Sequence, residues 1–337
     1  MKTYLLPEEG NFYKANLHAH STLSDGAFCP EEMKATYKLR GYSVYAYTEH
    51  GKYYDMRYLD DKDFITLPSY EFDFRSWSEP AFSLYEGAPM HKDHMQCVHM
   101  NFFAIDPEHV GPIVKNYEIL GCTKEEMHQR TFTLDDVNEA IRRAHESGFF
   151  VSLNHPHWSL NTNETCCKIE GIDALEILNG ACQRTSDMDF ASHVYRELAW
   201  KGRRIPCIAG DDNHGARHFF HAWTMIKAPK LDHKSIMAAL KAGNCYASGG
   251  PEIKELYIED GVLHIKTSEA QGIFYTTAGR RKTAALMEDN GDLPVTEAAF
   301  PILPEDIFFN VTVRDLRGRP AATRVYFLDE LKGQFEQ

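Results

Sequence analysis

Asn16-Leu17-His18-Ala19-His20-Ser21-Thr22-Leu23-Ser24-Asp25-Gly26 is the stretch on which the reading of this 337-residue chain turns. An apolar run opens it. A strand over residues 15–19 would put His18 and His20 on one face, because side chains alternate along a strand. Asp212 and His214 repeat that spacing after a second apolar run at 205–209. Two single histidines lie beyond further runs, in Thr48-Glu49-His50 after 43–47 and in Asn154-His155-Pro156 after 149–153. One histidine alone is more often a core or surface residue than a ligand; placement at successive strand ends is what carries weight. Imidazole and carboxylate together are the ligand set of zinc, manganese and iron.

The bulk properties narrow the partners. Composition is that of a globular protein, 43% hydrophobic and 25% charged, and the length suits one large domain with a smaller one. No apolar run approaches the ~18 residues needed to span a bilayer, so no membrane association is expected. Residues 1–10 carry one lysine, a Pro-Glu-Glu and no apolar core, which is unlike a secretory signal and makes the cytoplasm the expected location. The eight cysteines include no C-x-x-C pair, and the Cys166-Cys167 doublet has no second pair beside it, so reduced thiols are expected. A net charge of −13, with basic runs no longer than Arg280-Arg281-Lys282, argues against a long nucleic-acid partner. A small anionic substrate held by metal ions is compatible with it. Oligomeric state is not legible.

Residues 12–250 alternate apolar runs (15–19, 43–47, 64–69, 97–105, 149–153, 174–178, 205–209, 222–226) with helical punctuation. Pro30 with Glu31 and Glu32 opens a helix that Gly41 closes. Thr133 caps a second, striped by Leu134, Val137, Ile141 and Ala144 and ended by Gly148. Phe190, Val194 and Leu198 mark a third, and Asp232 caps a fourth that stops at Gly243. The alternation predicts an α/β barrel or open sheet. After Gly249-Gly250-Pro251 only strand-like runs follow (253–258, 262–267, 273–277, 308–313, 322–327). The expected division is a hydrolase barrel over 1–250 and a small β-sandwich-like accessory domain over 251–337. His264 in that module is read as a packed or surface residue.

The stretch 16–26 closely resembles the opening motif of the PHP (polymerase and histidinol phosphatase) superfamily. Thr48-Glu49-His50 is similar to its second motif, with Glu where Asp is usual. Asn154-His155-Pro156 resembles the third, and Gly210-Asp211-Asp212-Asn213-His214 the fourth. The segment from Ala239 to Pro251 is similar to a branch with an appended β domain, which includes CehA/McbA-like metallohydrolases. The resemblance implies a distorted (β/α)7 barrel with two to three divalent ions, Zn, Mn or Fe, in its mouth. It implies one set of His18, His20, Glu71 and Asp212, a second of Glu71, His99 and His155 with Glu71 bridging, and a third of Asp25, His50 and His214. Aspartate at 25, where many relatives carry histidine, favours a harder ion such as Mn²⁺ or Fe²⁺. Asp73 competes with Glu71, His91 and His94 compete with His99, and Asp211 competes with Asp212 or orients a ligand.

A clustered divalent site suits phosphoester hydrolysis, which depends on positioning and electrostatics. The expectation is a metal-dependent phosphoesterase in which a metal-bridging hydroxide attacks phosphorus in a small monoester or diester. His157 or His218 would protonate the leaving oxygen, and Arg184 and Arg217 would clamp the phosphate. Glu176, Asn179 and His221 are weaker supporting candidates, and Tyr53 and Trp158 could wall a pocket. The alternative is a metallohydrolase of carboxylic or carbamic esters or amides on the same trinuclear site. A scaffold that binds metal only for structure is a third reading, against which the full ligand set counts.

Overall fold

The computed structural model describes residues 2–74, 96–111, 121–123, 126 and 132–331. In chain order the elements are β1 (Thr3–Tyr4), β2 (Asn11–Asn16), α1 (Pro30–Lys38), β3 (Tyr42–Ala46), β4 (Ile65–Leu67), β5 (Ser69–Phe74) and β6 (Val98–Ala104). There follow α2 (Leu134–Glu146), β7 (Phe149–Leu153), α3 (Asn163–Lys168), β8 (Ala174–Asn179), α4 (Gly180–Thr185), α5 (Ser192–Trp200) and β9 (Cys207–Gly210). β10 (Trp223–Ala228), α6 (His233–Ala242) and β11 (Cys245–Ser248) lead into a strand-rich tail: β12 (Ile253–Glu259), β13 (Val262–Thr277), β14 (Lys282–Leu286), β15 (Val295–Pro301), β16 (Phe308–Asp315), β17 (Pro320–Thr323) and β18 (Tyr326–Phe327).

Helix boundaries follow local chemistry. Thr133 and Asp136 form a reciprocal capping box at the start of α2, and Val137, Ala140, Ile141 and Ala144 bury its apolar stripe against the second sheet. Asp232 accepts the Ser235 N–H at the start of α6, and Gly243 ends that helix in the left-handed region (φ +71°).

The strands form a mixed α/β fold with two large sheets. One sheet runs β1-β12-β13-β16-β17-β11-β10-β2-β3-β4, with β14 and β15 also on β13 and β18 on β16; the other runs β5-β6-β7-β8-β9. Helical crossovers give parallel pairs at β2–β3 and at β7–β8–β9, as a crossover connection requires. β6, however, is antiparallel to both β5 and β7. The expected (β/α)7 barrel is therefore not present as a closed ring among the described residues. Isolated parallel bridges, Ala19 to Asn213 and His50 to Glu71, join the sheets instead.

Past β11 the described residues form strands interrupted by short 3₁₀ turns at Met287–Asn290, Pro304–Asp306 and Leu328–Leu331, and the strands continue the first sheet: β17 pairs with β11, Tyr246 opposite Thr323 and Ser248 opposite Ala321. β13 is one long strand where two were expected, with irregular register between Lys266 and Gly272. His264 stacks on Tyr257. None of the eight cysteines is joined in a disulfide. Among the described residues no helix is long and apolar enough to cross a membrane.

Candidate metal centre

β2 ends at Asn16, earlier than expected, and His18 and His20 lie on the extended segment beyond it. Backbone bonds dock this segment onto the end of β9: Asp212 N–H donates to His18 O (2.8 Å), and His20 N–H to Asn213 O (3.3 Å). The approach is close enough that a Cβ on Gly210 would lie 2.5 Å from His18 Cβ, and one on Gly26 would lie 2.3 Å from His20 O. Only glycine permits that docking. Asp212 (φ +49°) and His155 (φ +22°) both adopt positive φ, a strain typical of functional sites. Asp211 does not enter the cluster. It accepts the N–H groups of Phe220, His221 and Ala222 and the Tyr37 hydroxyl, fixing the turn after His218.

The nine expected ligands come together. His18, His20 and Glu71 form one set with ligand atoms within 4.8 Å of one another, Glu71, His99 and His155 a second, and His20, Asp25, His50 and His214 a third. Asp212 joins the first, its Oδ1 3.3 Å from His18 Nε2 and 3.1 Å from His20 Nε2. Glu71 sits at the junction and divides its oxygens. Oε1 faces His99 Nδ1 (3.0 Å), His18 Nε2 (3.3 Å) and His155 Nε2 (3.5 Å), whereas Oε2 faces His50 Nδ1 (3.1 Å) and His20 Nε2 (3.4 Å). Asp73, its competitor, stands opposite His99 in the β5–β6 register. His91 and His94 lie outside the described residues.

These donors fit a divalent cation. His18 Nε2, both nitrogens of His20 and His50 Nδ1 are buried and make no hydrogen bond, although carboxylate oxygens lie close to each. Orphaned polar atoms in such number are costly unless they converge on a common partner, and a metal ion is the partner this donor set suits. Other residues hold the ligands in place. Glu176 accepts from His18 Nδ1 (2.9 Å) and from the His155 backbone N–H (3.0 Å); Ser159 Oγ meets His155 Nδ1 (3.0 Å). Asn154 and Asn179 donate to Glu71 and Asp212. Glu49 receives the Ser21 N–H and the hydroxyls of Ser21 and Ser24, pinning the loop that carries Asp25.

The electrostatics are those of interleaved opposite charges. Burial opposes ionisation of Glu71, but His18, His99 and His50 hold its carboxyl well below the usual range. Burial likewise opposes the charged form of His18, yet Asp212, Glu176 and Glu71 raise it well above the ordinary imidazole value. His214 is raised to about 9 against burial by Asp25 and Asp212, while burial, with His20 and His99, lowers His50 to about 4 despite Glu71. A divalent ion competes with protons for these nitrogens.

The other expected residues scatter. His218 stands with Nδ1 3.2 Å from the His214 backbone nitrogen and Nε2 3.0 Å from Arg217 Nε. A neutral imidazole accepts at one ring nitrogen only, and the shorter contact, from Arg217 Nε–H, is the bond it keeps. His157 has His193 and Asp189 as electrostatic neighbours, with no hydrogen bond or ion pair to the cluster among the described residues. The positive φ at His155 turns the chain between the two histidines. α4 packs against the turn Ala216–His218, bringing Arg184 and Arg217 to one side; His221 feels the Arg184 charge. Both arginines are exposed and neither has a carboxylate within ion-pair distance among the described residues. Trp158, partly exposed, stands edge-on to His155 and His99, whereas Tyr53 packs against Tyr70 and Phe149. Glu176 was the underrated residue. Its signal is a lone carboxylate in the otherwise apolar run Ala174-Leu175-Glu176-Ile177-Leu178.

No protein-family profile and no curated protein matches the chain. Among solved structures, it is similar to a two-domain Bacteroides vulgatus protein containing a predicted PHP-like metal-dependent phosphoesterase, at 14% identity and TM-score 0.47 over 96% of this chain and 97% of the other. A Bifidobacterium adolescentis protein assigned as a metal-dependent phosphoesterase matches at 15% identity and TM-score 0.36, over 61% of this chain and 90% of the other. An amidohydrolase from Chromobacterium violaceum, with bound sulfate and no metal, matches at 14% identity and TM-score 0.36, over 60% and 87%. Likeness at this level carries no inference about activity, which rests on the side chains described above.

Proposed function

We propose that this chain is a metal-dependent phosphoesterase acting on a small phosphomonoester or phosphodiester. The observation that carries the reading is Glu71, a buried carboxylate whose two oxygens face different histidine groups. The proposed holders are His18, His20, Glu71 and Asp212 for one ion, Glu71, His99 and His155 for a second, and Asp25, His50 and His214 for a third, with zinc, manganese or iron as the metal. When bound, such ions supply Lewis-acid activation of water and offset charge on phosphoryl oxygens. The PHP resemblance adds the family assignment.

The chain's own residues supply orientation. Glu176 and Ser159 fix the rings of His18 and His155, so the ligands need little rearrangement on binding. Arg217, steadied through Nε by His218, and the unpaired Arg184 are the proposed contacts for phosphate oxygens. These exposed cations beside the cluster favour an anionic ester over a neutral one. Trp158 offers an apolar wall for the remainder of the substrate. A small cytoplasmic substrate suits the acidic chain better than a nucleic-acid duplex does.

The test is turnover of p-nitrophenyl phosphate, bis-p-nitrophenyl phosphate and p-nitrophenyl acetate with Mn²⁺ or Zn²⁺. Hydrolysis of one of the phosphate esters, lost in His155→Ala, is expected. Activity confined to the acetate would replace this reading with the carboxylic ester or amide hydrolase. Phosphatase activity untouched by His155→Ala would move the reaction away from this cluster.

A further inference from the structure

A cavity lies away from the metal centre, between α5 and the tail strands. β13 and β16 are antiparallel neighbours, with Phe274 opposite Thr312, Thr276 opposite Asn310 and Gly272 opposite Arg314. Alternation sends Ile273, Tyr275, Val311 and Val313 into the tail's own apolar core. The opposite face, carrying Phe274, Thr276, Asn310, Thr312 and Arg314, meets Phe190, Ser192, His193 and Arg196 across a cavity of about 360 Å³. That is space for a small organic molecule. Ile177 of β8 lines it, while the adjacent Glu176 turns to His18, so the strand separates this cavity from the metal cluster.

The charge of the lining is unusual for a chain of net charge −13. Arg196, Arg314 and His193 contribute to it, and no Asp or Glu does. Arg314 is half-buried, lies over the Phe190 ring (5.2 Å) and donates one bond to Gly318 O. Arg196 donates to Ala278 O and Gly279 O. Each guanidinium has five donors, so both retain unused capacity, and neither has a carboxylate within ion-pair distance among the described residues. Asp189 is near enough to feel Arg314 but stands outside the lining.

We infer that this cavity binds a small organic anion, its acid group on Arg314 and Arg196 and its apolar body against Phe190 and Phe274. Guanidinium pairs with carboxylate and phosphoryl oxygens alike, and the two aromatic rings favour a flat apolar remainder. The site does not depend on which reaction the metal centre performs.

The test is calorimetric titration of the full-length, metal-containing protein with four probes of similar size: benzoate, phenylphosphonate, benzamide and benzylamine. At least one of the two anions should bind, showing whether carboxylate or phosphonate is preferred, and the neutral and cationic probes should bind at least about tenfold more weakly. Arg314→Met should weaken anion binding by at least about tenfold, and Thr312→Phe, which fills the cavity without removing charge, should do the same. If Arg314→Met does not fold by circular dichroism, Thr312→Phe decides alone. Failure of both anions to bind would overturn the assignment. So would benzamide binding as well as benzoate, or anion binding that survives the substitutions, as it would at the metal cluster.

Discussion

His18, Glu71 and His155 are almost fully buried, and each is held by a neighbour: Glu176, Asn154 and Ser159 respectively. Asp25, His50 and His214, on the other side of His20, come from loops, and the Asp25 side chain is 53% exposed. Inner ligands are thus pre-positioned in a low-dielectric setting, where charge interactions are strong and water competes little. Outer ligands keep water as an alternative partner. Under the proposed function the inner half retains its ions and the outer half exchanges them, and substitutions should grade accordingly.

The largest expected effect is at the junction. Glu71→Gln keeps the shape of the side chain but removes the charge both histidine groups share. Phosphoesterase turnover should fall by more than about 100-fold, beyond the 10–100-fold that losing a ligand's supporting partner costs. Glu176→Gln acts through His18, the His155 backbone and Asn179, so metal affinity should fall about 10–100-fold, with activity restored by excess Mn²⁺ or Zn²⁺. A loss that excess metal did not restore would separate Glu176 from ligand positioning. Asp25→Asn removes a half-exposed carboxylate and should cost no more than about tenfold in overall metal affinity, leaving the inner half loaded. Equal losses for Asp25→Asn and Glu71→Gln would erase the inner–outer distinction.

His145 gives the smallest effect and a control. It pairs with Asp173 (2.9 Å) on the solvent side of α2, and that hydrogen bond, against burial, raises its pKa. A histidine raised on folding contributes stability fully below its unfolded value near 6.5, and the contribution is lost as pH climbs through the folded value. His145→Gln should therefore lower folding stability slightly at pH 5.5, by no more than about 1 kcal/mol for so exposed a pair, and leave it unchanged at pH 9, as read from Tm at each pH. Turnover should not change at either pH.

How far the sequence led depended on what each segment buries. β7 was legible to the residue because Phe149-Phe150-Val151-Ser152-Leu153 is apolar on both faces. β5 was not, because Ser69-Tyr70-Glu71-Phe72-Asp73-Phe74 sends its polar residues toward the cluster and does not resemble a core strand. β11, four residues between two glycine turns, carries too short a pattern to stand out. The ligands themselves were legible through their spacing beyond strand ends and through the PHP resemblance. Of their supports, Glu176 was legible only as a weaker candidate and Glu49 not as a support at all, since a carboxylate that bonds to backbone and hydroxyl groups leaves no spacing rule behind it.

The account is tested most directly by graded chelation, following bound metal by mass spectrometry and p-nitrophenyl phosphate turnover on the same samples. It predicts more than one divalent ion per chain, lost in two stages, with phosphatase activity disappearing completely once the more tightly held ions are removed and returning on reloading. A chain that binds no divalent metal stoichiometrically, or whose phosphatase activity survives complete chelation, would contradict it.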